Sequence, residues 1–318
     1  MPDRVLCIKQ HFFKLKMQNH NLKFKIGLLV FGLLMFLFLS QVFSGRLILP
    51  QTFSFSFVSI HFYGLIMALS VLVGYFYATW SAPRFGFTKE QTENLILYIV
   101  PICFVSARLY HVLSEFGYYK NHLGEILQIW QGGMGIFGVM FGGAIGLIIL
   151  NKTLNLKSSV LNLYDWLAPA VLLGQIIGRF GNLFNYEAYG YPTNLPWKMF
   201  VPENFRPIEY AGFSFFHPWF LYEVLGNVVI FLGILYFVRK RKVQNFSIDK
   251  AENSNFGALF FSYILWYNAL RFVLEFLRID STFSGQYRLN AVISLALVIL
   301  GLIGFLWSRR KSINVQVP

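Results

Sequence analysis

Residues 158–178 read SSVLNLYDWLAPAVLLGQIIG, and from there the chain runs Gly178-Arg179-Phe180-Gly181-Asn182-Leu183-Phe184-Asn185-Tyr186-Glu187-Ala188-Tyr189-Gly190. The first stretch is apolar enough to cross a bilayer, for which roughly 20 helical residues are needed. The second puts Arg179, Asn182, Asn185 and Glu187 where the hydrocarbon is expected to end. An ionisable side chain left in lipid costs roughly 2.5–3.5 kcal/mol on insertion scales, so such a cluster marks a substrate or ion site. The mixture of one guanidinium with amides points to an anionic lipid.

Composition sets the same scene. Of 318 residues, 56% are hydrophobic, 36 are Phe and only 13% are charged, outside the range of soluble globular domains. Eight apolar stretches are expected to span: 27–43, 60–80, 92–113, 133–150, 158–178, 217–239, 256–277 and 289–307. The chain therefore reads as an all-α integral membrane protein, a polytopic helical bundle.

Lys and Arg then orient it. With the N-terminus in the cytoplasm, 18 of the 27 basic residues fall on cytoplasmic segments and seven on outer ones, Arg108 and Arg271 lying within spans. The positive-inside rule favours this topology. The net charge of +13 is then a membrane signal, and no nucleic-acid partner is implied. The run Arg239-Lys240-Arg241-Lys242 is a stop-transfer anchor.

The leader, residues 1–26, is basic and precedes the span at 27–43. A basic leader, an apolar stretch and Ser44 two residues after Val42 also describe a signal peptide; a retained anchor is favoured because no Ala-x-Ala-like site closes the stretch. The two cysteines, Cys7 and Cys103, make neither a disulfide framework nor a metal site. No metal or cofactor is expected. The segment 179–216 is the longest loop and carries Pro192, Pro196, Pro202 and Pro207; on the outer face, such a loop is expected to be a functional lid or an interfacial module.

Further polar groups gather at the same outer side. Arg271, Glu275 and Arg278 follow i, i+4, i+7 spacing and share one helical stripe. Glu275 neutralises one guanidinium, which leaves the stripe positive and in want of a counterion; the alternative is a structural ion pair with Arg278 snorkelling to the interface. His217-Pro218-Trp219-Phe220-Leu221-Tyr222-Glu223 opens the sixth span, with Pro in the first turn where a missing N–H is harmless. Trp219 and Tyr222 fit interfacial belt aromatics as well as site residues, whereas His217 and Glu223 are not lipid-facing types. His61-Phe62-Tyr63-Gly64 begins the second span, and Arg108 ends the third. Arg recognises phosphate bidentately and stays charged in a poorly hydrated site, so the group as a whole suits a phospholipid head group.

The run Gly178-Arg179-x-Gly181-Asn182-x-x-Asn185-x-Glu187-x-x-Gly190 resembles the signature of the prolipoprotein diacylglyceryl transferase family. Supporting matches, in the same order along the chain, are His61-x-Tyr63-Gly64, Ala107-Arg108-Leu109, Gly132-Gly133-Met134 with Gly142-Gly143, Asp165 with Ala168-Pro169 and Gly174-Gln175, His217-Pro218-x-x-Leu221-Tyr222-Glu223 and Arg271-Phe272-x-x-Glu275-Phe276-x-Arg278. The resemblance covers about 50–308. It implies a seven-helix transferase domain with an outer-face module at 179–216, one extra N-terminal span, and a cytoplasmic tail at 309–318.

By resemblance the activity is transfer of the diacylglyceryl group from phosphatidylglycerol to the lipobox cysteine thiol of secreted prolipoproteins. The product is a thioether and glycerol phosphate leaves. The setting implied is the bacterial cytoplasmic (inner) membrane, with the site toward the outer leaflet. Arg179 and Arg271 would grip the head group, Asn182 and Glu187 organise it, and Tyr63 and Gly190 complete the catalytic set. Glu275, Arg278, Asn185, His61, His217, Tyr222, Glu223 and Arg108 are the further candidate substrate-binding residues. One departure stands out: after Gly132-Gly133-Met134, where relatives often carry His or Tyr, this chain has Phe137, which relays no proton. Two other readings remain at this point, a different phospholipid head-group transferase and a small-anion transporter. Transport is disfavoured because polar residues would gather near the midplane of broken, repeated helices, whereas these collect at span ends.

Overall fold

The computed structural model describes residues 25–27, 29–55, 58–129, 132–240 and 256–313. Most of the basic leader, Cys7 and the basic loop beyond Lys240 lie outside them. The helices are α1 (Lys25–Phe43), α2 (Phe62–Ser81), α3 (Lys89–Ser114), the short α4 (Phe116–Tyr119), α5 (Ile136–Thr153), α6 (Val160–Asn185), α7 (Trp219–Lys240), α8 (Ala258–Glu275) and α9 (Leu289–Ile313). Three small antiparallel hairpins join them: β1 (Thr52–Phe55) with β2 (Val58–His61), β3 (Met199–Phe200) with β4 (Phe215–Phe216), and β5 (Phe283–Ser284) with β6 (Tyr287–Arg288).

Among the described residues seven helices are long and apolar enough to cross a membrane: α1, α2, α3, α5, α6, α7 and α9. The chain is a multi-pass helical membrane protein. Large apolar side chains such as Leu97, Phe104, Phe141, Val229 and Ile303 stand exposed along these helices, as surfaces facing hydrocarbon do. The eighth expected span, 256–277, is the helix α8, but it does not reach the same apolarity. Asn268, Arg271 and Glu275 interrupt it, and Asn268 and Glu275 are buried against protein.

The chain divides into two compact units: one holds the described residues up to Pro50 together with Tyr189–Pro218, the other Gln51–Ala188 with Trp219 onward. The larger unit is organised around α6. Half of the apolar window of α6 is buried, against 6–28% for the other spanning helices, because α2, α5, α7 and α8 all pack on it. At Gly74 of α2, a Cβ would already touch the Ala170 carbonyl of α6, the small-residue contact that lets membrane helices approach closely. Gly138 and Gly142 of α5 press against Ser106 of α3, where a Cβ would stand 2.2 and 2.1 Å from the nearest atom.

Helix starts follow from local chemistry. Thr88 and Gln91 form a reciprocal capping box on α3, at 3.2 and 3.0 Å, satisfying two otherwise unpaired backbone donors. Ser159 caps α6. The start of α8 is capped from another helix: both Asp165 carboxylate oxygens of α6 accept, from the Gly257 and Phe260 N–H groups, at 2.9 and 2.8 Å. Asp165, matched above only as part of a motif, is thus a helix-docking group.

The smaller unit is built on β3 and β4, with Met199, Val201 and Phe216 buried. The Tyr189 hydroxyl donates to the Phe205 carbonyl, and Arg206 Nε to the Val201 carbonyl at 2.8 Å. The segment after α1 belongs here too. Gly45, at φ +76°, lies flat on the Phe200 ring, 2.8 Å from where a Cβ would be; this position takes Gly for both reasons. The loop expected at 179–216 begins later than the sequence suggested, since α6 continues to Asn185.

Candidate active site

Because α6 runs on to Asn185, Arg179, Asn182 and Asn185 are side chains of its last two turns and not of a loop. Arg179 projects toward α7 and meets Glu223 one turn into that helix, Nη2 to Oε1 at 2.8 Å. Arg271 of α8 reaches the other oxygen, Nη1 to Oε2 at 3.0 Å. The Tyr267 hydroxyl, one turn before Arg271, donates to Oε1 at 3.3 Å. Glu223 is fully buried (0% exposed), while the two arginine side chains keep 27% and 14% exposure. One carboxylate therefore serves two cations, and the three groups together carry +1.

Trp219 forms the floor of this arrangement. It is 0% exposed and donates Nε1–H to the Leu274 carbonyl at 2.6 Å. The guanidinium carbons of Arg271, Arg278 and Arg179 lie 4.8, 5.1 and 5.9 Å from its ring centre. A desolvated cation–π contact is worth about 2 kcal/mol. The belt-aromatic reading of Trp219 is overturned by its complete burial.

The stripe on α8 is also corrected. Its net positive charge was expected because only Glu275 was counted. Glu223 from α7 supplies a second carboxylate, and Arg278 is held bidentately by Asp280, Nε and Nη2 to the two oxygens at 2.5 and 2.7 Å. These hydrogen bonds raise the Arg278 pKa further. Burial works against a charged Asp280, but the bonds and charge of Arg278 outweigh it and hold the carboxyl below its usual range. Glu275, buried, accepts from Asn290 Nδ2 at 3.1 Å and lies 3.8 Å from Arg271 Nη2, too far for a hydrogen bond. Arg288 closes the end of α8 by donating to the Glu275 and Arg278 carbonyls at 2.7 and 3.2 Å.

A second polar chain leaves Arg179 in the other direction. Nη1 donates to Asn182 Oδ1 at 3.4 Å, and Asn182 Nδ2 to Glu187 Oε1 at 2.8 Å, which Asn185 Nδ2 also approaches at 3.3 Å. Glu187 sits between two left-handed residues, Tyr186 at φ 50° and Ala188 at φ 55°. Non-glycine residues in this region cost roughly 1–2 kcal/mol each, so the fold accepts strain to turn Glu187 back onto α6. Tyr63, in the first turn of α2, lies on Gly181, where a Cβ would be 2.8 Å from its ring.

The remaining candidates are placed differently. His61 is the last residue of β2, exposed and paired in register with Thr52. Tyr222 is half-buried in α7. Gly190 and His217 belong to the smaller unit, where the Gly190 N–H donates to the His217 carbonyl at 2.9 Å and the His217 N–H to the Tyr191 carbonyl at 3.0 Å; burial lowers the His217 pKa. Arg108 spends its guanidinium on backbone: Nε on Ile126, Nη1 on Gly132 and Gly133, Nη2 on Glu125, at 2.8, 2.6, 3.0 and 2.7 Å. Phe137, in the first turn of α5, tilts against Tyr110 with ring centres 5.8 Å apart.

Tyr267, Asn290 and Arg288 were not singled out by sequence. Tyr267 had a signal, because Tyr263, Tyr267, Arg271 and Glu275 recur every fourth residue on one face. Arg288 ends the hairpin after α8 and Asn290 lies in the first turn of α9; neither had one. Among the described residues no group of three or more His, Cys, Asp or Glu side chains is placed to hold a metal ion.

Comparison with known proteins shows the family. Residues 50–307 match the family model described as prolipoprotein diacylglyceryl transferase. The phosphatidylglycerol–prolipoprotein diacylglyceryl transferase of Thermotoga maritima is 38% identical over 282 residues, 88% of this chain and 92% of that protein. The proteins of the same name from Synechocystis and Listeria innocua are 36% and 34% identical, over 85% and 83% of this chain and 93% and 91% of theirs. With its matched region spanning all but the termini and relatives of that name more than a third identical over most of its length, the chain belongs to the prolipoprotein diacylglyceryl transferase family.

Proposed function

We propose that the protein transfers the diacylglyceryl group of phosphatidylglycerol to the lipobox cysteine of secreted prolipoproteins, in the bacterial cytoplasmic membrane and from its outer leaflet. The observation that carries this reading is the pair of guanidiniums sharing Glu223. Glu223 takes one nitrogen of each guanidinium, and the second Arg271 nitrogen stands 3.8 Å from Glu275, beyond hydrogen-bond reach, so donors remain on the pair for a phosphodiester monoanion. One guanidinium about 4 Å from a phosphate is worth about 4 kcal/mol at an effective dielectric near 20. That attraction grows as the departing glycerol phosphate gains charge, so it is expressed in the transition state.

The chemistry is displacement at the sp3 glycerol carbon. The cysteine sulfur forms the new C–S bond, the C–O bond to phosphate breaks, and the thiol proton passes to solvent or to the departing phosphate. Arg179 and Arg271 hold the phosphate; Glu223 and Trp219 hold the arginines. Asn182, Asn185 and Glu187 offer donors and acceptors to the glycerol hydroxyls of the head group, with Tyr63 at the edge of the site and His61 and Tyr222 as further contacts. Glu275 and Arg278 form an outer ring of charge. Phe137 takes no proton, so the thiol ionises in the field of the two arginines, a cationic setting that lowers thiol pKa values below about 8.5. Arg108 is read as an organiser of the 125–133 segment.

Incubating membranes that contain the protein with head-group-intact, acyl-labelled phosphatidylglycerol and a lipobox peptide tests the activity. Label on the peptide is expected, with glycerol phosphate released in equal amount; solute flux without peptide labelling would overturn it. The orientation rests on the 18-to-7 distribution of basic residues. A single cysteine placed in 192–206 should react with impermeant thiol reagents in intact cells, and one placed in 10–20 should not.

A further inference from the structure

One helical turn beneath the Arg179–Glu223 pair lies a polar layer to which the reaction above gives no role. Arg179 of α6 bonds Glu223 of α7, and deeper in the bundle Leu163 and Trp166 of α6 share a core cluster with Ile234 and Val238 of α7. The two helices thus run antiparallel. A step of four residues inward from Arg179 reaches Gln175; the same step from Glu223 reaches Asn227. On an α-helix these pairs share a face, so Gln175 and Asn227 occupy the level below the charged pair.

Asn227 is fully buried, and neither its Oδ1 nor its Nδ2 has a hydrogen-bond partner among the described residues. Gln175 donates Nε2–H to the Tyr263 hydroxyl at 2.9 Å, while its Oε1 is buried and unpartnered, as is Arg179 Nε. Tyr263 stacks on Tyr267, ring centres 5.6 Å apart, and Tyr267 returns to Glu223. Four unpartnered polar atoms on two facing helices, next to a closed ring of contacts, are not scattered defects. Buried polar groups in native proteins are paired with protein or ordered water, and a carboxamide inside a membrane bundle is expensive unless it is used.

We propose that Asn227 and Gln175 form a buried hydration site beneath the arginine pair, and that through its ordered water they act as positioning residues for Arg179 and Glu223. Water is the ligand because Asn227 has no exposed atom for a lipid to reach. Water both donates and accepts, and it needs the two to four polar partners that Asn227 Oδ1, Asn227 Nδ2, Gln175 Oε1 and Arg179 Nε supply. The site fixes the guanidinium plane of Arg179, so its loss is felt in the grip on the head group.

This inference rests on the transferase reading for its kinetic arm only. In detergent-purified protein, Asn227→Leu is expected to lower the melting temperature and to raise the KM for phosphatidylglycerol roughly tenfold. Asn227→Ser, which keeps a donor and acceptor beside the water, should stay within about threefold of wild type. The double variant Asn227→Leu/Gln175→Met should bind lipid no worse than the worse single variant, since both act on one shared site. A higher melting temperature for Asn227→Leu with KM unchanged would overturn the proposal, because it would mean the amide is a burden with no partner. Multiplicative losses in the double variant would overturn it too. If wild type shows no phosphatidylglycerol-dependent transfer, the transferase reading fails, while the sign of the melting shift still decides the hydration site.

Discussion

Arg108, buried, and Arg271, nearly so, are arginines inside a membrane bundle, and they solve the same problem in opposite ways. Arg108 places every guanidinium nitrogen on backbone carbonyls of one segment, from Glu125 to Gly133. Its charge is met by fixed dipoles, and four of its five N–H donors are spent on them. Arg271 shares a single carboxylate with Arg179 and keeps a second nitrogen 3.8 Å from Glu275. Its charge is met by one carboxylate that it shares and a second that it does not hydrogen-bond. The contrast separates an arginine that shapes a loop from one poised for an anion, although both sit at the end of an apolar span in the sequence.

The largest effect should come from breaking the second arrangement. Arg271→Ala and Arg179→Ala are each expected to reduce transfer by at least about 100-fold, measured as labelled peptide per mole of enzyme. Abundance in the membrane should stay near wild type, since the remaining arginine still pairs with Glu223. Arg271→Lys should recover little, because a point charge loses the planar fork that meets both carboxylate and phosphate. Activity close to wild type in either alanine variant would erase the distinction from Arg108.

Glu223 is the sharper test of how the pair is held. Glu223→Ala leaves two guanidiniums facing each other, and breaking a buried ion pair from one side costs about 3–5 kcal/mol. The low end applies here because both arginines keep some exposure. Thermal denaturation in detergent should show a clear drop, unlike the arginine variants. A melting temperature equal to wild type would mean that the carboxylate is not what holds the arginines together.

How much of this was readable from the sequence depends on whether a feature is local. Spans were, because an apolar run needs no partner to be recognised; 158–178 and 289–307 became α6 and α9. Helix α8 was legible in extent, yet its polar stripe takes it below the apolarity of a lipid-facing span, a sign that protein covers it. The three-residue spacing of Asn182 and Asn185 is legible as one helical face, which α6 carries to Asn185, although the apolar run stops before the helix does. Charge balance failed for a different reason. Glu223 precedes Arg271 by 48 residues, and no spacing rule reports a contact between two separate helices. Burial of Trp219 under three guanidiniums, and the share that the segment before Pro50 takes in the smaller unit, are likewise tertiary facts.

Arg108 should give an intermediate effect of another kind. Arg108→Ala strands four carbonyls in the 125–133 segment, and each buried polar group left unpaired costs about 1–3 kcal/mol. Part of that cost is relieved by water at the end of the bundle. Melting temperature and membrane abundance are expected to fall, while activity per folded molecule falls less than about tenfold. Loss of all activity at an unchanged melting temperature would return Arg108 to the binding set.

The smallest effect is expected at Phe137. Its ring meets Tyr110 and is 37% exposed, so Phe137→Ala removes only part of an apolar contact and should alter activity far less than Arg271→Ala. If the thiol ionises in the field of Arg179 and Arg271, the pH–rate profiles of wild type, Phe137→His and His61→Gln should coincide within experimental scatter. The sign is fixed by the chemistry: the thiolate is the nucleophile, so the rate rises with pH up to the thiol's lowered pKa and then levels off. An added imidazole that takes the proton would instead introduce a limb near its ordinary value of about 6.5, with a higher plateau. A large rate gain of that form in Phe137→His would show that proton transfer limits this chain. The two guanidiniums would then grip the lipid without activating the thiol.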